Sequence, residues 1–132
     1  MNIKKYLCCG LIACLALIFS ASSIANGSEQ DEKAVKAMAL ILSHVNHFPS
    51  AAEKKTLKNI ANDSNNSDQV KTIANAMYNM QHSVSSGDKS KLKAISGDSS
   101  VDDDIRDLAK ILSHFNHKPS GSDVKKLKDI AD

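Results

Sequence analysis

The 132-residue sequence contains no Trp, two Tyr, three Phe, two Pro and three Cys. It is 42% hydrophobic and 24% charged, a globular composition short on aromatics, and its length suits one domain. A multi-domain enzyme, a long transmembrane array and a disulfide-dense miniprotein are excluded. All three thiols (Cys8, Cys9, Cys14) fall in the first 25 residues, which read as a secretory signal peptide. A chain that loses them has no disulfide, no Cys-ligated zinc, no thioether-linked haem and no Cys nucleophile. Charge of one sign is lacking too. Two of the 17 Lys and Arg residues precede residue 26 and all 15 Asp and Glu follow it, so residues 26–132 are neutral with His uncharged. Nucleic acids and anionic membranes then find no electrostatic basis for binding. Catalytic signatures are missing as well: no G-x-S-x-G, no H-E-x-x-H and no Gly-rich phosphate loop occurs. The chain reads as a non-enzyme.

The signal reading rests on three adjoining features. Lys4 and Lys5 form a basic start, Tyr6 to Phe19 is an uncharged apolar stretch, and Ser23-Ile24-Ala25 permits cleavage before Asn26. The stretch is shorter than the ~20 residues that span a bilayer. The alternative is a lipoprotein anchored at Cys14, since Leu11-Ile12-Ala13-Cys14 resembles a lipobox. The greasy run after Cys14 argues against it. A thiol-free, neutral, exported chain suits the periplasm.

What is present is a repeat. Val35, Val70 and Ile105 recur at a spacing of 35 residues, and the register holds without a gap. Met38, Ile73 and Leu108 correspond, as do Leu42, Met77 and Leu112, and Leu57, Leu92 and Leu127. The units are 35–63, 70–98 and 105–132, within a domain 26–132. Each begins with an apolar stripe at helical spacing and ends in a shorter helical segment. Pro49 and Pro119 stop the first helix, because the residue before Pro avoids the α region. Ser50, Ser85 and Ser120 follow as N-caps, each with an acid three residues on, at capping-box spacing. Helices are expected near 31–47, 51–61, 68–82, 86–96, 101–117 and 121–131. The fold class is all-α: three tandem helical hairpins stacked as a short solenoid or compact bundle. The period is close to that of tetratricopeptide repeats, but the Trp, Gly and Tyr positions of that signature are absent.

Five histidines crowd the ends of the first helices. His47, His82 and His117 share one repeat position, and His44 and His114 lie three residues earlier. At i, i+3 the pairs His44/His47 and His114/His117 share a helix face and offer two imidazoles to copper or zinc. Met77 and Met80 add soft donors but sit in core register. Equivalent helices of stacked units stand ~8–10 Å apart, so the units are not expected to pool ligands. The preferred reading of these histidines is structural, at helix C-termini, with no cofactor. Asn46, Gln81 and Asn116 fall on the apolar stripe and are expected to be buried amides bonded to helix-end carbonyls. Stacking would align Lys58, Lys93 and Lys128 as a ladder able to receive an anionic ligand, but a solvated helix face is the commoner explanation. Asp63-x-Asn65-x-Ser67 and Asp98-x-Ser100-x-Asp102 begin like calcium loops but lack the required Gly and Glu.

The first helix of unit 1 is the most apolar of the three. Ala37, Leu40 and Ile41 widen its stripe, where the other units place Thr72 or Asp107 and Asn75 or Lys110 opposite the first two. An array end should show a polar face, so a covering chain is expected there, as a homodimer or an unidentified protein partner; central burial in a bundle is the rival. Function is then expected to be protein–protein contact by an exported repeat protein, the alternative being periplasmic metal binding through the His-rich turns.

Overall fold

A computed structural model describes residues 24–132, with side chains from Glu29 onward. The expected signal peptide and the Cys14 lipidation site lie outside the described residues, apart from Ile24 and Ala25. Six helices and no strand occur among the described residues: α1 (Ile24–His44), α2 (Ala51–Asn62), α3 (Asp68–Asn79), α4 (Ser86–Gly97), α5 (Asp103–His114) and α6 (Gly121–Ala131). The described residues form an all-α fold, and no described helix is long and apolar enough to cross a membrane.

Cap chemistry sets where the short helices start. Ser50, Ser85 and Ser120 are the N-caps of α2, α4 and α6, each hydroxyl accepting from the backbone N–H three residues on. Ser50 with Glu53 and Ser120 with Asp123 complete reciprocal capping boxes, while Ser85 has only the hydroxyl half. The shorter Asp still reaches back in α6, at 3.3 Å. Ser67 caps α3, and α5 starts two residues later than expected, capped by Asp102. Asp98 holds Ser100 in an Asx turn and Asp63 holds Asn65 in another, so these calcium-like acids serve the chain reversal itself.

The first helices end three residues sooner than the apolar stripe suggests, at His44, Asn79 and His114. Val45, Met80 and Phe115 are nevertheless buried, because the chain leaves the helix with these side chains still turned to the core. This displaces two expectations. His44 and His47, and likewise His114 and His117, no longer share a helix face. Asn46, Gln81 and Asn116 are exposed, not buried amides.

Packing runs mainly between units. The most extensive helix contacts are α2 with α3, α4 with α5, and α6 with α1, whereas the two helices of each unit touch less. α1, α3 and α5 also touch one another, and α2, α4 and α6 do not. The six helices thus close on themselves, with three inside and three outside. Ala39, Ala74 and Ala109, at one repeat position on the inner helices, have no exposed surface. Such small residues permit close helix approach.

Packing against α6 covers much of the apolar surface of α1. Ala34 and Ile41 are buried within the single chain, as are Ala76 and Ile111 at the positions matching Ile41. Ala37 is half-buried. Leu40 alone of the expected interface residues remains open, at 57% exposure. Residues 26–33 form part of α1. There Gln30 donates to Asp63 and Asp31 accepts the Ser67 backbone N–H at 2.8 Å, which braces the α2–α3 connection. Lys58, Lys93 and Lys128 stand exposed on outer helices that do not meet, so no ladder forms.

Candidate metal centre

Three turns, one after each inner helix, converge at one end of the bundle. His47, His82 and His117 each bring one ring nitrogen there, and the three atoms lie within 4.8 Å of one another. The ring centroids stand 4.8 to 5.1 Å apart. A closed arrangement of three units carries one repeat position to a common centre, whereas a linear stack would have spaced it out. The expectation that units cannot pool ligands therefore does not hold for these three residues.

Backbone bonds tie the turns together. The His47 N–H donates to the His117 carbonyl at 2.6 Å, and the His117 N–H donates to the His82 carbonyl at 2.6 Å. In two turns the histidine is the apex of a γ-turn. The Phe48 N–H reaches the Asn46 carbonyl at 3.0 Å, and the Lys118 N–H reaches the Asn116 carbonyl at 2.7 Å. Their central residues, His47 and His117, have φ of 72° and 64°. A γ-turn with positive φ is rare and strained, and a non-glycine residue held there costs on the order of 1–3 kcal/mol. Such strain concentrates at functional positions and persists only when the surroundings enforce it. His82 has no positive φ. Its turn carries Val84, buried, where the others carry Pro49 and Pro119.

The donor set is chemically uniform. His47 is half-buried, and His82 and His117 are exposed. The His117 Nδ1 sits 2.7 Å from the Asn116 Oδ1. An amide oxygen only accepts, so the neutral ring that makes this contact has its proton on Nδ1 and its lone pair on Nε2. This second contact is the usual way a metal-binding imidazole is fixed in tautomer and orientation. Neutral imidazoles bind zinc at ~2.0–2.1 Å, which places tetrahedral donors about 3.4 Å from one another. Drawing the rings in by about an ångström meets that geometry, a movement open to surface side chains on short turns.

The other two histidines do different work. His44 Nε2 meets Glu53 Oε1 at 2.7 Å, and His114 Nε2 lies 3.5 Å from Asp123 Oδ2. Both acids are capping-box residues, so each histidine fastens the end of one helix to the start of the next. Burial pushes the Glu53 carboxyl up, but hydrogen bonds from Ser50 and His44 outweigh it and hold it below the usual range. Met77 and Met80 are fully buried and belong to the core.

A second concavity, about 530 Å³, opens at the opposite end of the inner helices. Glu29, Asp31, Glu32, Asp102 and Asp104 line it with Lys36 and Ile130. Burial, then the neighbouring Asp102, raises the Asp104 pKa. Sequence periodicity gave no sign of this cleft, because its acids lie in α1 ahead of residue 35 and at the start of α5, outside the three repeat units.

No protein-family model matches the chain, and neither a curated protein nor a solved structure shows significant similarity to it.

Proposed function

We propose that the chain is an exported protein that binds one divalent transition-metal ion, zinc or copper, through His47, His82 and His117. The observation that carries this reading is the meeting of three ring nitrogens, one from each unit, within 4.8 Å. Three neutral imidazoles are a ligand set that suits zinc and copper, and thiolates are not needed. The strained γ-turns of His47 and His117 support it further, since the core gains nothing from placing a histidine in that conformation. Calorimetric titration of residues 26–132 with Zn(II) and Cu(II) tests it. One equivalent should bind, and a triple His47→Ala/His82→Ala/His117→Ala variant should bind none. A wild type that takes up no metal removes the reading.

Protein contact is a second reading, favoured by one observation. Among the described residues, Leu40 and Phe48 are the large apolar side chains left exposed, at 57% and 58%. The homodimer or partner surface would then be centred on Leu40, with Ala37 beside it, and Ile41 excluded by its burial. Leu40→Lys should shift a dimer to monomer with helicity unchanged. A wild type already monomeric by sedimentation would remove the homodimer form of this reading.

A further inference from the structure

We propose that the three-histidine centre is a transfer site, which hands its metal to an acceptor by associative exchange while the fold stays intact. The inference rests on the metal-binding reading above and goes on to say what the site is for. Three observations carry it.

The first is the donor count. The cluster holds three imidazoles and, among the described residues, no carboxylate or thiol joins it. Zinc and copper favour at least four ligands, so one position falls to water or an incoming group. The second is exposure. His82 and His117 are exposed, and the centre lies on the outer end of the bundle, beyond the last turns of α1, α3 and α5. An approaching donor therefore meets the ion without any helix having to open. The third is the independence of the core. Val45, Met80 and Phe115, two residues before each histidine, are buried, and none of the three histidines belongs to the buried core. Structural zinc sites supply folding energy and are closed to further ligands. This one lies outside the core and has a free side.

The exchange is a sequence of ligand substitutions with no redox change. A donor atom of the acceptor bonds to the ion at the fourth position and displaces its water. The three metal–nitrogen bonds then break in turn as further acceptor donors replace them. Each imidazole is released neutral, or takes a proton from solvent. The acceptor is a chelating protein or molecule that offers several nitrogen, oxygen or sulfur donors.

The test uses the zinc-loaded chain, residues 26–132, and the chromogenic chelator 4-(2-pyridylazo)resorcinol. Transfer is followed at several chelator concentrations in excess over protein, with helicity recorded before and after. The expected result is a rate that rises in proportion to chelator, tenfold for tenfold, with helicity unchanged on metal loss. A rate independent of chelator means the ion must first dissociate, and that overturns the proposal. Loss of helicity on metal removal overturns it as well, because the metal would then be structural. Both outcomes leave the metal-binding reading standing. A chain that takes up no zinc at the outset sinks that reading, and this inference with it.

Discussion

His47 and His117 are joined through the backbone: the N–H of His47 donates to the carbonyl of His117 at 2.6 Å, which links the first unit of the chain to the third. Their rings meet edge to face at 5.1 Å. The bond locks the closed arrangement at the end where the three histidines meet. Closure at the other end comes from α1, whose Lys36 reaches the Asp132 carbonyl at 3.4 Å.

The two histidine classes should separate cleanly in binding. His82→Ala removes a proposed ligand and should weaken zinc binding by more than the roughly 10- to 100-fold typical of an outer-shell loss. Asn116→Ala should fall within that outer-shell range, since it releases only the His117 Nδ1–H. His44→Ala should leave affinity unchanged and cost about 0.5 kcal/mol of stability through its exposed contact with Glu53. Calorimetry and denaturant melts on the three variants check this.

The γ-turns make a prediction about backbone that needs no metal. Alanine in the left-handed region costs about 1 kcal/mol or more relative to glycine. His47→Gly should therefore be more stable than His47→Ala by about that amount, and His117→Gly likewise. At His82, without a positive φ, the order should reverse, because glycine only adds unfolded-state entropy there. Urea midpoints of the six variants decide it.

Losing a cap should cost about 1 kcal/mol at Ser50 and Ser120, and somewhat less at Ser85, whose box is half formed. Equal melts for wild type and Ser50→Ala would mean that the hydroxyl does not hold the Glu53 amide.

Acid should expose the Glu53 contribution. Its folded-state carboxyl is held below the ordinary range, so the stability it supplies is complete above that range and is lost as pH falls through the lowered value. Glu53→Gln should lie about 0.5 kcal/mol below wild type at neutral pH, on the scale of an acid in a helix first turn, and the gap should close as pH falls below the ordinary carboxylate range. Melts across that interval measure it.

Much of this architecture could be read from the chain. The 35-residue register marked most of the buried positions, because core burial repeats with the helix pairs. The three serine caps were visible as Ser-x-x-acid patterns, since local hydrogen bonds depend on local spacing. Two features were not legible. Val45, Met80 and Phe115 continue the apolar stripe, so the first helices seemed to run on to the repeated histidines, although burial there is reached from a turn. A fixed period also fits an open stack and a closed ring equally well. What selects the ring is contact between α6 and α1, residues at opposite ends of the chain. One signal was available: a His at the same position in each of only three units, which a ring gathers and a stack separates.

X-ray absorption at the zinc edge of the metal-loaded chain tests the central claim most directly, because it counts the donors around the ion. The spectrum should show imidazole scattering from three nitrogens at about 2.0–2.1 Å with one additional oxygen, and His82→Ala should lower the imidazole count or abolish uptake. A zinc shell built of carboxylate oxygens, with wild-type imidazole scattering of one ring or none, would contradict the three-histidine centre.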